Sequence, residues 1–218
     1  MVEYRCGVKG SLLLGAVLAL FSTLSAAVSL HQETLSEAYY KSYTYEKSGN
    51  IKDAILAMKF VYEQHEGSYG INSRLAHLYT LDGKYRNAIA HYQSAISALP
   101  EALTPKLGLL YVYILSANYS EASKIGYQVI SIDHYNYYGN LRLAHVLRKS
   151  EKSDLAETLL LKILTFYPAD TLYLTELGLL RFDQKRYREA RAVMEEVLLI
   201  DPENVEAKKS LLLLNDLQ

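Results

Sequence analysis

The sequence predicts an all-α fold, a solenoid in which antiparallel helix pairs follow one another along the chain. The first observation is a period of 34 residues, which five alanines mark: Ala54, Ala88, Ala122, Ala156 and Ala190. A fixed period of this length is typical of arrays of small structural units. The second is that apolar residues recur at i, i+3, i+4 and i+7 through two stretches of each period, as on amphipathic helices. The third is a short polar turn between the two stretches, such as Asp-Gly-Lys at 82–84.

The composition is consistent with such an array and excludes one class of partner. The chain has 218 residues, 50% of them hydrophobic, and a formal net charge of −1. A nearly neutral chain has no general electrostatic attraction to nucleic acid, so we expect no nucleic-acid partner. A solenoid grows by adding units, so this length requires no second core.

The N-terminal segment differs from the rest of the chain. Its first ten residues include an arginine and a lysine, and residues 11–30 contain no charged side chain. This order predicts a secretory signal peptide over residues 1–29, cleaved after Ala27 or Ser29. The alternative is an uncleaved membrane anchor, because twenty apolar residues suffice to span a bilayer. The small residues that end the segment favour cleavage, since anchors more often end in bulky or aromatic residues.

The remainder of the chain divides without insertion or deletion. After a lead-in at 30–34, the period predicts five units at 35–68, 69–102, 103–136, 137–170 and 171–204. The last unit of a solenoid exposes an apolar face, so we expect residues 205–218 to form a C-terminal capping helix. The apolar residues of this amphipathic segment are Val205, Ala207, Leu211, Leu212 and Leu214.

Within each unit, the marker alanine falls early in the predicted second helix. Its methyl group lets the two helices approach closely, because a larger side chain would overpack the contact at a cost of about 1–3 kcal/mol. The first helices carry two more sets of equivalent residues: Tyr45, Tyr79 and Tyr113, and Leu75, Leu109, Leu143 and Leu177.

These positions resemble the tetratricopeptide repeat family over residues 35–204. Small residues also fall where that family has them: Ser42, Ala76, Ala144 and Gly178. The resemblance implies a superhelix of helix pairs whose first helices line a concave groove. It also implies a function in binding other proteins.

No pattern of catalytic residues accompanies the repeats. The six histidines never occur at metal-ligand spacing, and the chain has neither a phosphate-binding loop nor a serine nucleophile motif. Cys6 precedes the apolar segment, so cleavage would leave no thiol nucleophile. We therefore predict a protein that is not an enzyme and that carries no metal and no cofactor.

The groove that the resemblance implies would be aromatic at its N-terminal end and basic further along. Arg74 and His77 recur two units later as Arg142 and His145. Tyrosine gives a large contact area at little entropic cost, and arginine can hold a carboxylate through two hydrogen bonds. The predicted partner-binding residues are Tyr39, Tyr40, Tyr43, Arg74, His77, Tyr111, Tyr138, Arg142, His145 and Arg148, and unit five adds Glu176, Leu179 and Phe182 to the groove.

We expect a non-catalytic scaffold of the bacterial cell envelope, periplasmic or secreted, that holds an extended peptide or partner protein in this groove. An acidic segment with aromatic or proline-rich neighbours would suit the residues. One alternative is a glycan-binding module of an exopolysaccharide system, whose tyrosines would stack on sugar rings. Another is a membrane-anchored organiser of an inner-membrane complex, with its repeats outside the cytoplasm; membrane contact is expected only if residues 11–30 are retained.

Overall fold

The computed structural model describes residues 34–217, and within this range the chain forms helices joined by short loops. The predicted all-α fold class is therefore confirmed. The predicted signal peptide or anchor lies outside the described residues. The helices are α1 (34–47), α2 (Ile51–Tyr62), α3 (Tyr69–Leu81), α4 (Tyr85–Ala98), α5 (Leu103–Leu115), α6 (Tyr119–Ile132), α7 (Tyr137–Lys149), α8 (Ser153–Leu164), α9 (Thr171–Asp183), α10 (Tyr187–Ile200) and α11 (Val205–Asn215).

The chain divides into two compact units, one ending at Glu66 and the other beginning at Gly67. The described part of the N-terminal unit is the pair α1 and α2. In the C-terminal unit, the pairs α3–α4, α5–α6, α7–α8 and α9–α10 each pack internally and against the next pair, and α11 packs on α10. Successive first helices also touch directly, from α3 to α5, α7, α9 and α11. Helices α3–α11 thus form a solenoid. None of the described helices has the length and apolar character needed to cross a membrane.

Local capping explains where the first helices begin. Side chains just before four of them accept hydrogen bonds from backbone N–H groups of the first turn, which have no partner within the helix. These caps are Ser68, Asn136, Asp170 and Asn204. Their helices begin at 69, 137, 171 and 205, and α5 begins at 103, so the starts keep the 34-residue spacing. Helix α11 therefore occupies the place of a sixth first helix.

The turn inside each pair has one backbone conformation. Its middle residue has a positive φ, and the next N–H donates to the carbonyl five residues earlier, as Lys84 does to Tyr79 at 2.9 Å. This hydrogen bond ends the first helix in a Schellman motif and reverses the chain. The middle residues are Gly49 (φ 80°), Gly83 (71°), Ala117 (53°), Glu151 (60°) and Lys185 (61°).

In the C-terminal unit, the core lies between the helices of each pair and between neighbouring pairs. The five marker alanines are all fully buried, each at the fourth residue of its second helix. Toward the C-terminus, a continuous cluster of buried residues extends from Leu143 on α7 to Ala207 on α11.

Helix α11 packs with fewer apolar residues than the sequence indicated. Ala207, Ser210 and Leu214 are its buried residues. The assignment of Val205 and Leu212 to the packing face is wrong, because these side chains are 77% and 67% exposed. At the position equivalent to Leu212, Gly178 packs against Met194 of its second helix. Leu212 is exposed because no second helix covers α11 within the described residues.

Candidate functional site

Three first helices, α5, α7 and α9, lie side by side and line an open surface pocket of about 300 Å³. Tyr111 and Ile114 come from α5, Leu141 and Arg142 from α7, and Leu172 and Thr175 from α9. His145 and Glu176 line it as well. We call this cavity the Arg142 pocket. It brings together Tyr111, Arg142 and His145, which the sequence predicted to share a binding surface.

Two tyrosine rings and a backbone carbonyl hold Arg142. The guanidinium carbon lies 4.9 Å from the ring centre of Tyr111 and 5.5 Å from that of Tyr138. Both distances fall within the range of cation–π attraction. Nη1 donates a hydrogen bond of 2.8 Å to the carbonyl oxygen of Leu107 on α5. The half-buried arginine is therefore fixed in position without a carboxylate.

The positive charge of Arg142 is not balanced by an ion pair within the described residues. Burial lowers the pKa of Arg142 from its ordinary value, while nearby tyrosines, led by Tyr111, oppose this shift. An arginine stays protonated in proteins, so the charge persists. The hydroxyl oxygen of Thr175, in the same pocket, is buried and has no hydrogen-bond partner in the described part of the chain. The pocket thus contains a fixed cation, and one of its lining residues has a buried hydroxyl.

The neighbouring Arg148 is paired inside the protein. Its Nε lies 2.5 Å from Oε1 of Glu176, and its Nη1 lies 2.8 Å from Oδ2 of Asp183. Nδ1 of His145 lies 3.3 Å from Oε2 of Glu176. Burial alone would raise the pKa of Glu176, but hydrogen bonds from His145 and Arg148 outweigh it and hold the pKa below its ordinary value. Arg148, predicted to face a partner, is buried in this cluster, which supports the pocket from within.

A second cavity, of about 430 Å³, adjoins the first and lies against α7, α9 and α11. We call it the Phe182 pocket, after the apolar residues Leu179, Phe182 and Leu213 that line it. His145 and Glu176 line both cavities. Sequence reasoning found Leu179 and Phe182 but missed Leu213. The available signal was the period itself, since Leu213 follows Leu179 by one repeat.

The comparisons with known proteins support the repeat assignment. The family model described as tetratricopeptide repeat matches residues 69–101, which contain α3–α4, and residues 173–204, which contain α10 and all but the first two residues of α9. Two segments of the chain thus match the tetratricopeptide repeat that the sequence resembles. A search of the curated proteins found no match to this sequence.

Solved tetratricopeptide-repeat structures share its fold. A repeat protein from Parabacteroides merdae has a TM-score of 0.75 at 15% identity, over 82% of this chain and 71% of that one. YrrB, described as having an unusual peptide-binding site, has a TM-score of 0.69 at 12% identity, over 85% and 96%. MamA has a TM-score of 0.69 at 15% identity, over 80% and 96%. At these identities the likeness shows the fold alone. Proteins built from such repeats generally act as non-catalytic scaffolds for protein–protein interaction.

The other residues that were predicted to line the groove have varied surroundings. Arg74 on α3 is buried, whereas its sequence equivalent Arg142 is half-buried, and His77 is exposed. Tyr40 and Tyr43 on α1 are exposed, and the rings of Tyr39 and Tyr43 lie 6.5 Å apart. These tyrosines belong to the N-terminal unit, whereas the Arg142 pocket belongs to the C-terminal unit. Their role in binding stays a prediction, as does the glycan alternative. Residues 34–217 include no cluster of three His, Cys, Asp or Glu side chains suited to a metal ion.

Proposed function

We propose that this chain is a non-catalytic interaction module whose α5–α7–α9 surface binds an extended acidic segment of a partner protein. The observation that carries the proposal is the charge of Arg142, which is held in place by Tyr111 and Tyr138 and pairs with no carboxylate in the described part of the chain. The ligand chemistry that complements such a group is a carboxylate, which a guanidinium binds through two parallel N–H···O hydrogen bonds.

The surroundings of Arg142 favour binding for two physical reasons. Partial burial reduces the dielectric screening of the charge, so a carboxylate gains more there than at a solvated arginine. The tyrosine rings already fix the guanidinium, so less side-chain freedom is lost on binding. Tyr111 and Tyr138 are themselves exposed and add contact area around the charged pair.

The experiment is a selection of random displayed peptides on the purified protein. We expect the selected peptides to be enriched in aspartate and glutamate. Arg142→Gln should weaken their binding, measured by fluorescence polarisation, at least about tenfold, because a charge-assisted hydrogen bond contributes about 1.5–3 kcal/mol. The matched control is Arg188→Gln, at an exposed arginine of α10 outside both pockets. Equal binding by the Arg142 and Arg188 variants would contradict the proposal.

We also propose that the repeats act in the bacterial cell envelope, after export directed by the N-terminal segment. The support is the order of its residues: basic side chains, then the uncharged residues 11–30, then small residues. Intact mass and cell fractionation of the native protein test this. A soluble envelope protein that lacks the residues up to Ala27 or Ser29 is the expected result. A full-length protein in the membrane fraction would indicate the anchored organiser, and a cytoplasmic protein would refute export.

A further inference from the structure

We infer that the partner segment carries an acidic residue and a bulky apolar residue three positions apart, in a polyproline II conformation. The carboxylate binds Arg142, and the apolar side chain enters the Phe182 pocket formed by Leu179, Phe182 and Leu213. This inference rests on the proposed function and specifies the ligand of the same surface.

The two pockets form one continuous surface. They share His145 and Glu176 as lining residues, and the helices behind them, α5, α7, α9 and α11, touch in sequence. One pocket lies over α5, α7 and α9, and the other lies one helix further along, over α7, α9 and α11. A segment anchored at Arg142 therefore reaches the Phe182 pocket by advancing one helix.

The helix spacing selects the conformation of the ligand. The axes of packed helices lie about 8–10 Å apart. A polyproline II segment rises about 3.1 Å per residue with three residues per turn, so residues i and i+3 share a face about 9 Å apart. Side chains on one face of a β-strand recur every second residue, about 7 Å or 13 Å apart, and match the spacing less well. The three-residue period of polyproline II therefore matches an advance of one helix.

The charges that line the Phe182 pocket are balanced, with three cations and three carboxylates. Its own carboxylates Glu176 and Asp183 are paired with the buried Arg148. Lys149 and Lys209 line the pocket and form no ion pair within the described residues. Glu206 is the opposing charge, a half-buried carboxylate of α11 at the same pocket. The charge that selects the acidic residue is therefore that of Arg142, and the Phe182 pocket contributes its apolar lining.

The test uses fluorescein-labelled, proline-rich peptides that carry one glutamate and one phenylalanine two, three or five positions apart. We expect the three-position peptide to bind at least about tenfold more tightly than the other two, because only that spacing returns to the same face of the polyproline helix. Leu213→Ser should abolish this preference. The control is Leu212→Ser, which changes the adjacent exposed leucine outside the pocket and should keep the preference.

The outcomes separate this inference from the proposed function. Binding that needs the peptide glutamate and Arg142, but ignores spacing, phenylalanine and Leu213, overturns the inference and leaves the proposed function in place. Binding that survives both Arg142→Gln and glutamate-to-glutamine exchange in the peptide overturns both. The peptide exchange tests the charged contact without changing the protein, so it decides the question even if Arg142→Gln unfolds the chain. Absence of measurable binding by the three-position peptide also overturns the inference.

Discussion

The backbone conformation that the turns share predicts opposite stability changes at two equivalent positions. Gly83 and Ala117 are the middle residues of successive turns, with φ of 71° and 53°. A residue with a Cβ costs about 1–2 kcal/mol in this left-handed region. A glycine-to-alanine change recovers about 0.4–1 kcal/mol through the unfolded chain. Gly83→Ala should therefore destabilise the fold by about 1 kcal/mol, and Ala117→Gly should stabilise it by a similar amount.

Steric overlap does not explain the expected cost of Gly83→Ala. A Cβ added at Gly83 meets no atom within 4 Å, so the backbone conformation alone sets the cost. Gly67 is a matched control, because it has the same open surroundings without a positive φ. Gly67→Ala should be neutral or slightly stabilising.

Thermal unfolding followed by circular dichroism measures these changes. A change of 1 kcal/mol shifts the midpoint of a protein of this size by about 2–4 °C. We expect the midpoint to decrease for Gly83→Ala and to increase for Ala117→Gly. The double variant should be close to the unchanged protein, since each substitution acts on the backbone of its own turn. Shifts of the same sign at both positions, or a decrease for Gly67→Ala as large as that for Gly83→Ala, would refute the argument from backbone strain.

Three further predictions concern the core and the buried polar groups. Ala156→Leu should destabilise the protein by about 1–3 kcal/mol in urea denaturation, since Ala156 is fully buried, whereas Leu at the exposed Ala90 should be nearly neutral. Glu176→Gln should lower stability at pH 7. Because the pKa of Glu176 is depressed in the folded protein, its contribution to the free energy of unfolding is complete above the ordinary carboxyl pKa. This contribution is lost as the pH falls through the folded pKa. Plots of stability against pH for the variant and the native protein should therefore converge in acid and not in base. Tyr173→Phe removes a buried hydroxyl that donates a 2.6 Å hydrogen bond to the carbonyl of Tyr137, and the loss of about 1 kcal/mol should appear as a lower urea midpoint.

The repeat period was enough to predict the fold because the same local features, a helix start and a turn, recur in each period. The starts of the first helices keep the 34-residue spacing, and every polar turn adopts the same Schellman geometry. The turn sequences vary from Ser-Gly-Asn to Gln-Lys-Arg, so the hydrogen bonds of the helix end and the packing of the pair impose the positive φ even on Glu151 and Lys185. The packing face of α11 could not be predicted in the same way, because its burial depends on which neighbour is present.

The sequence predicted residues of the candidate site, but it did not predict which of their charges are paired within the protein. The family resemblance placed Tyr111, Arg142 and His145 on one surface, and the structure groups them around a single pocket. Sequence position could not distinguish Arg142 from Arg148. The distinction depends on Glu176, which lies in the next repeat, 28 residues after Arg148, and pairs with Arg148 across the contact between α7 and α9.

The pairing of Glu176 explains why one arginine of the surface is available to a ligand. Glu176 is the carboxylate that lines both pockets, and its two oxygens accept hydrogen bonds from Arg148 and His145. With these oxygens engaged and its pKa depressed, Glu176 stays ionised and directed toward Arg148 instead of toward Arg142. Desolvation offsets much of the attraction within this buried pair, but removing Glu176 would leave Arg148 without its main partner, and the pair fixes which cation is neutralised. The functional character of the groove therefore depends on a residue that itself contacts no partner in the proposed complex.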